Sequence, residues 1–277
     1  MSKLILGIDA GNYEGKTVGA QGVDVWKTNI SGLTERKVAE VFGEDDMEFS
    51  VNGRAGLAGT IAKYESRRKS NGMYGQSKAH WQTEVRVLLS VYRYAMKYGV
   101  NTSRVSLVTG QPYVGHTEAE KGVLKALLQR THEVSVNGNR MSITIEEVGV
   151  APEGVGAFFS QPAQTCKVLD IGSGTVNAIS FEDYRVTNYN SDTFNYGTEV
   201  ASANEVVDGA IQDTVALGWN TQDKVYVCGG SAAQLLPEIK RFYINAELLA
   251  PVYRGEQLAT KYANAVGFYT LANGSFR

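Results

Sequence analysis

One short pattern occurs twice in this chain. Leu4-Ile5-Leu6-Gly7-Ile8-Asp9-Ala10-Gly11-Asn12 opens it, and Lys167-Val168-Leu169-Asp170-Ile171-Gly172-Ser173-Gly174-Thr175 stands past its middle. Each copy is an apolar run that closes on Asp-x-Gly and a polar turn, as a strand with a tight reversal does. More strand-like sequence follows each, at residues 17–26 and 176–181. Two related halves imply two lobes facing each other across a cleft. Further short β-branched runs lie at 105–108, 141–145 and 224–228, with another near 184–190. Helical stripes lie between them at 81–98, 118–129, 197–217, 232–242 and 262–272. Strands that alternate with helices predict an α/β protein. The strand over 140–149 and the new start at Ala151-Pro152-Glu153-Gly154 place the lobe boundary near 146–152. The expected lobes are therefore 1–150, with an insertion at about 30–77, and 151–277, with the last helix returning to the first lobe.

Composition narrows the function classes. The 277 residues are 43% hydrophobic and 20% charged with a net charge of -2, the profile of a soluble globular protein. A protein that grips DNA directly shows a basic excess; here only Arg67-Arg68-Lys69 forms a basic run, which reads as a solvated face. No apolar stretch is long enough to span a bilayer, and Asp9 comes too soon for a signal peptide, so a cytoplasmic protein is expected. Cys166 and Cys228 sit in or beside strand-like runs and read as buried thiols. His80, His116 and His132 lack metal-ligand spacing, which argues against zinc.

Asp-x-Gly turns at strand ends suit phosphate chemistry. Glycine lets backbone N–H groups approach phosphate oxygens closely. The strand-end Asp points into the cleft, where hydrated Mg²⁺ can sit. One such turn also serves simply to reverse a chain; two, one per lobe, form a clamp on the β and γ phosphates.

Set in order, the motifs resemble the actin, Hsp70 and sugar-kinase superfamily, and within it the bacterial plasmid-segregation actins of the ParM and StbA group. Ile8-Asp9-Ala10-Gly11-Asn12-Tyr13-Glu14-Gly15-Lys16 resembles the first phosphate motif. Val108-Thr109-Gly110-Gln111-Pro112 resembles the Thr-Gly-Leu-Pro segment. Pro152-Glu153-Gly154-Val155-Gly156-Ala157 resembles the connecting helix with its catalytic acid, and residues 169–175 the second phosphate motif. Val227-Cys228-Gly229-Gly230-Ser231-Ala232 resembles the adenosine motif, and Tyr262-Ala263-Asn264-Ala265-Val266-Gly267 the closing Ala-Asn-x-x-Gly helix.

The resemblance implies an actin-like, ribonuclease H-like pair of lobes around a nucleotide cleft. It implies ATP or ADP with Mg²⁺ as cofactors. Asp9 and Asp170 would hold the metal through water, and Asp170 would also orient the attacking water. Gly11, Asn12 and Lys16 would contact phosphate, and Gly172, Ser173, Gly174 and Thr175 would cradle the γ-phosphate. Glu153 would polarise the water. Gly229 and Gly230, with Ser231 next to them, would receive the adenosine. Each has a plainer reading. The two Asp residues could be turn formers, Lys16 a surface lysine, Glu153 a helix first-turn acid, and Gly229-Gly230 a turn into the next helix.

Two places depart from the pattern. Asn12-Tyr13-Glu14 stands where relatives usually carry small hydroxyl or glycine residues, and Glu14 is awkward beside phosphate unless it points outward. Asn177 stands where many relatives carry an acid. The segment between Asp170 and Gly229 is also short. The outer subdomain of the second lobe is therefore expected to be missing, as in the AlfA type. The implied function is a polymerising actin-like ATPase that self-assembles and segregates plasmid or phage DNA through a ParR-type adaptor. The alternatives are a small-molecule kinase of the superfamily and a non-filamentous scaffold. No sugar-binding pattern favours the former, and no peptide-binding domain follows for a chaperone.

Overall fold

The computed structural model describes residues 3–33, 43–65, 77–101 and 103–276. The opening run forms β1 (Leu4–Ala10) and turns into β2 (Glu14–Gly19) and β3 (Gly22–Lys27). Then come β4 (Ile30–Gly32), β5 (Met47–Val51), β6 (Arg54–Ala58), α1 (Thr60–Glu65), α2 (Trp81–Tyr98), β7 (Arg104–Gln111), α3 (Glu118–Leu128), β8 (Thr131–Val136) and β9 (Asn139–Pro152). Among the described residues these strands make one sheet in the order β3-β2-β1-β7-β9-β8-β5-β6-β4. The described part of the expected insertion lengthens this sheet, because β5 pairs with β8. The Arg67-Arg68-Lys69 run lies outside the described residues.

The second half runs through α4 (Val155–Ser160), β10 (Cys166–Ile171), β11 (Val176–Glu182), β12 (Arg185–Val186), β13 (Asp192–Phe194), α5 (Ala203–Ala216), β14 (Val225–Gly229), α6 (Ala232–Phe242) and β15 (Glu247–Leu248). A small hairpin, β16 (Val252–Tyr253) with β17 (Glu256–Gln257), precedes the closing helix α7 (Ala263–Ser275). The second sheet has the order β12-β11-β10-β14-β15. The duplication is now visible as topology. In each half the Asp-bearing strand lies between an antiparallel partner, β2 or β11, and a parallel one, β7 or β14. From Asp170 to Gly229 the chain holds β11 to β13, one 3₁₀ turn, α5 and β14, with no further subdomain.

Alternation along the strands sets the layers. Leu4, Leu6 and Ile8 pack with α2, whereas Gly7 touches the backbone of α7 at Tyr269. Leu169 and Ile171 pack with α5 and α6, whereas Val168 packs with α4. Helices α4 and α7 therefore lie on the inner faces of the two sheets. They cross almost backbone to backbone: a Cβ on Gly267 would stand 1.7 Å from the Gly156 carbonyl oxygen. Only glycine permits that approach.

Local chemistry explains where the elements differ from the sequence reading. Helix α5 begins at Ala203 rather than 197, because Ser202 and Glu205 form a reciprocal capping box. Residues 197–201 instead pack on the turn after β10, where Thr198 and Glu199 donate backbone N–H groups to the Gly172 and Ser173 carbonyls. The strand expected near 184–190 is the two-residue β12 followed by a 3₁₀ turn at Asn188–Asn190. Asp183 and Tyr184, at φ 47° and 62°, reverse the chain tightly before it. Strand β9 continues past 149 to Pro152, which is still paired with Gln111 of β7. Both cysteines are buried free thiols. No helix among the described residues is long and apolar enough to cross a membrane.

Candidate functional site

The period of two that buries alternate strand residues also places the acids. Asp9 shares the inner face with Ile5 and Gly7, and Asp170 shares it with Val168. Both stand near the C-terminal ends of their strands, where parallel sheets present their ligand sites. The register repeats as well: Asp9 is paired across the ladder with Lys16, and Asp170 with Asn177. Directly opposed side chains interact. Lys16 Nζ lies 3.2 Å from Asp9 Oδ2, and Asn177 Nδ2 donates to Asp170 Oδ2 at 3.4 Å.

The candidate nucleotide-binding and catalytic residues named from the sequence all line one cavity of about 440 Å³. Asp9, Gly11, Asn12 and Lys16 come from the first hairpin, and Asp170, Gly172, Ser173, Gly174 and Thr175 from the second. Glu153 enters from the link between β9 and α4, and Gly229, Gly230 and Ser231 from the end of β14. Asn12 has a fixed orientation. Its Oδ1 accepts from the buried Arg86 guanidinium at 2.8 Å, and Arg offers only donors, so the amide Nδ2 is the end left for another acceptor. The amide of Gly172 closes its own turn on the Thr175 carbonyl at 2.9 Å and so is not free for a ligand. Gly229 adopts φ +104°, and a Cβ there would meet the Ile171 carbonyl oxygen at 2.0 Å. Glycine is therefore required at that position for the β10–β14 contact alone. At Gly230 a Cβ would meet nothing within 4 Å, which leaves a flat open floor.

The acids are buried, and their partners are built in. Asp170 Oδ2 accepts from Asn264 Nδ2 of α7 at 2.9 Å, and Oδ1 accepts from the Cys228 thiol at 3.6 Å. Burial, with Glu153 and Asp9 nearby, still pushes the Asp170 carboxyl up to about 6. Glu153 Oε1 is bonded to the ammonium of the equally buried Lys78. Burial lowers the affinity of Lys78 for its proton, but Glu153 and Asp9 outweigh it and hold the group above the usual lysine range, so it stays charged. Three carboxylates thus face two lysines. Among the described residues no three His, Cys, Asp or Glu side chains come close enough to ligate one ion. That donor set suits a hard cation held through water rather than in a protein cage, which is how Mg²⁺ binds beside phosphates.

Lys78 has no motif around it in the sequence, and Asn264 stands there only as part of the closing Ala-Asn-x-x-Gly helix. Asn264 Oδ1 accepts from the backbone N–H groups of Gly154 and Ala157, both at 3.0 Å, and so caps α4 from outside. A lone amide among small apolar residues in Ala-Asn-Ala-Val-Gly was the available signal, since buried polar groups are paired. Glu14 does not turn away from the cavity; it lines it. Its carboxylate bridges Lys27 at 2.7 Å and Lys261 at 3.0 Å. Burial raises the Glu14 carboxyl, and the two lysines overcome this and hold it below the usual range.

Two sheets related by one repeated strand plan, with helices on their inner faces and a carboxylate from each sheet in a shared cavity, define an actin-like protein. Residues 7–156 match the family described as the N-terminal domain of actin-like proteins, and the chain belongs to that family. Its fold is of the AlfA and ParM kind. An AlfA filament bound to AMPPNP superposes with a TM-score of 0.83 at 20% identity, covering 100% of each chain. AlfA from the B. subtilis plasmid pLS32, in a filament structure, gives 0.81 at 19%, covering 96% of this chain and 97% of that one. The apo ParM protein of pSK41 gives 0.73 at 16%, covering 99% and 98%. No curated protein matches the chain in sequence.

Proposed function

We propose that this chain is a polymerising actin-like ATPase that binds ATP and ADP with Mg²⁺ in the described cavity and assembles into homopolymeric filaments. The observation that carries the reading is the pair of equivalent strand-end acids, Asp9 and Asp170, brought to one cavity with Glu153 between the sheets. The nucleotide-bound AlfA filament and an ADP complex of the archaeal actin homolog Ta0583 support it. In this reading residues 1–150 and 151–277 are the two lobes, and α4 with α7 is the joint. The setting is the bacterial cytoplasm, and the cargo is plasmid or phage DNA held through a basic ParR-type adaptor, in keeping with the net charge of -2.

Asp9 and Asp170 would hold Mg²⁺ through water; when bound it neutralises and orients phosphate oxygens. Lys16 and the amides of residues 173–175 bind and align the phosphates. Glu153 positions the attacking water and takes up its proton as the oxygen bonds to the γ-phosphorus and ADP leaves. Lys78 fixes one Glu153 oxygen and sets a positive charge beside it. Positioning and charge neutralisation carry most of such a reaction.

Glu153→Gln tests the assignment. The amide keeps the shape but cannot take the proton. Turnover is expected to fall about a hundredfold, while ATP affinity, read by fluorescent-nucleotide displacement, stays within about threefold. Wild-type turnover in the variant would contradict the role of Glu153, and absence of nucleotide binding by the wild type would contradict the ATPase reading as a whole.

A further inference from the structure

Asn177 occupies a crossing of hydrogen bonds that neither its burial nor its strand pairing demands. It is 1% exposed, and all of its amide capacity is used. Nδ2 donates to Asp170 Oδ2 at 3.4 Å and to Glu153 Oε2 at 3.5 Å. Oδ1 accepts from the Tyr113 backbone N–H at 3.2 Å and from the Thr193 hydroxyl at 2.8 Å. The Thr193 oxygen in turn accepts from the Val114 backbone N–H at 3.2 Å. Tyr113 and Val114 belong to the loop that leaves β7 of the first sheet, whereas Asn177 and Thr193 are ladder partners on β11 and β13 of the second.

We propose that Asn177 and Thr193 form a positioning relay, which lets the first-lobe loop at residues 112–114 set the alignment of Glu153 and Asp170. The relay rests on the ATPase reading above and adds to it a residue-level link between lobe position and chemistry. The loop reaches Asn177 by two routes, one direct from Tyr113 and one from Val114 through Thr193. A shift of the first lobe relative to the second therefore pulls on the amide oxygen. The planar amide transmits that pull to its nitrogen, which touches both acids. The bonds to the acids are longer than those to the relay's other partners, so the nitrogen end is where a small movement has most to gain. An acid at 177 could not do this. It has no donor for the two carboxylates and would add a third negative charge beside them. Asparagine here is therefore a functional choice, not a neutral departure from the family pattern.

The test uses the full chain, with Thr193→Val removing the hydroxyl and Thr193→Ser restoring it. Thr193→Val is expected to lower kcat for ATP about tenfold with KM within about twofold of wild type, and Thr193→Ser to return kcat to within about twofold. Unchanged kcat in Thr193→Val, a change confined to KM, or an equal loss in both variants would overturn the relay. A wild type that binds but does not turn over ATP fails the hydrolysis reading, not the relay, which is then decided by amide hydrogen exchange. In that measurement a non-hydrolysable ATP analogue slows exchange at Tyr113 and Val114 in wild type and Thr193→Ser but not in Thr193→Val. The wild-type measurement alone suffices if Thr193→Val does not fold. Exchange at both amides that stays at the nucleotide-free rate when the analogue binds would overturn the proposal.

Discussion

Asp170, which the account places beside the metal, is held against the stability of the fold. Its carboxyl ordinarily titrates near 3.8 and is pushed up to about 6 by burial, Glu153 and Asp9, against the opposing bond from Asn264. A group whose folded value is raised contributes its full stability below the unfolded value and loses it as pH rises through the folded value. For Asp170 that window runs from 3.8 to about 6. At pH 7 the nucleotide-free protein therefore carries an ionised acid that costs up to about 3 kcal/mol. Asp170→Asn is expected to raise the denaturation midpoint at pH 7–8 and to lose that advantage as pH approaches 4, read from denaturant melts across pH. A variant that is less stable at pH 7 than at pH 4, relative to wild type, would show that the acid is not held at this cost. The gain is expected to come with loss of ATP turnover, the usual exchange at a destabilised site.

At the scale of elements, the α4–α7 crossing joins the two halves and seats the acids. Asn264 on α7 bonds to the start of α4 and to Asp170, so any displacement between these helices reaches the cavity. Gly267→Ala would drive a Cβ into the Gly156 carbonyl. Its neighbours there are backbone atoms and cannot rotate away, so the cost is expected to be at least about 3 kcal/mol in denaturant titration. Gly274→Ala lies on the same helix with nothing within 4 Å of the new Cβ and serves as the control. It is expected to stabilise by up to about 1 kcal/mol through helix propensity. Equal effects of the two would mean that the crossing is not close-packed. Sequence signals set some element bounds well and others poorly, for identifiable reasons. Helix α2 was fixed over Trp81–Tyr98 by its apolar stripe and by Gly99, which adopts the left-handed conformation at its end. The helical stripe predicts α5 from 197, but the helix starts at Ala203, where Ser202-x-x-Glu205 spells a capping box. Strands β5 with β6 and β8 with β9 close as local hairpins over Asn52-Gly53 and Asn137-Gly138, but the pairing of β5 with β8 that joins them is non-local, which periodicity does not reveal.

For the whole molecule, the repeated strand-Asp-x-Gly pattern was legible because both halves must end an inner-face strand at the same depth. Topology then does the rest: the antiparallel neighbour on one side and the parallel one on the other recur around Asp9 and Asp170. The contacts that Lys78, Asn177 and Asn264 make were not legible, although two of these residues stand in or beside the motifs. Lys78, Asn177 and Asn264 act through contacts 75, 64 and 94 positions away in the chain, to Glu153, Tyr113 and Asp170. Such contacts follow from how the two sheets are set against each other, not from local sequence. The central claim is that nucleotide held between the halves controls assembly. It is tested most directly by light scattering and pelleting of purified protein with ATP, with ADP and without nucleotide, alongside Asp170→Ala. The account predicts ATP-dependent assembly that Asp170→Ala abolishes. Scattering that is the same in all three conditions, or unaltered by Asp170→Ala, would contradict it.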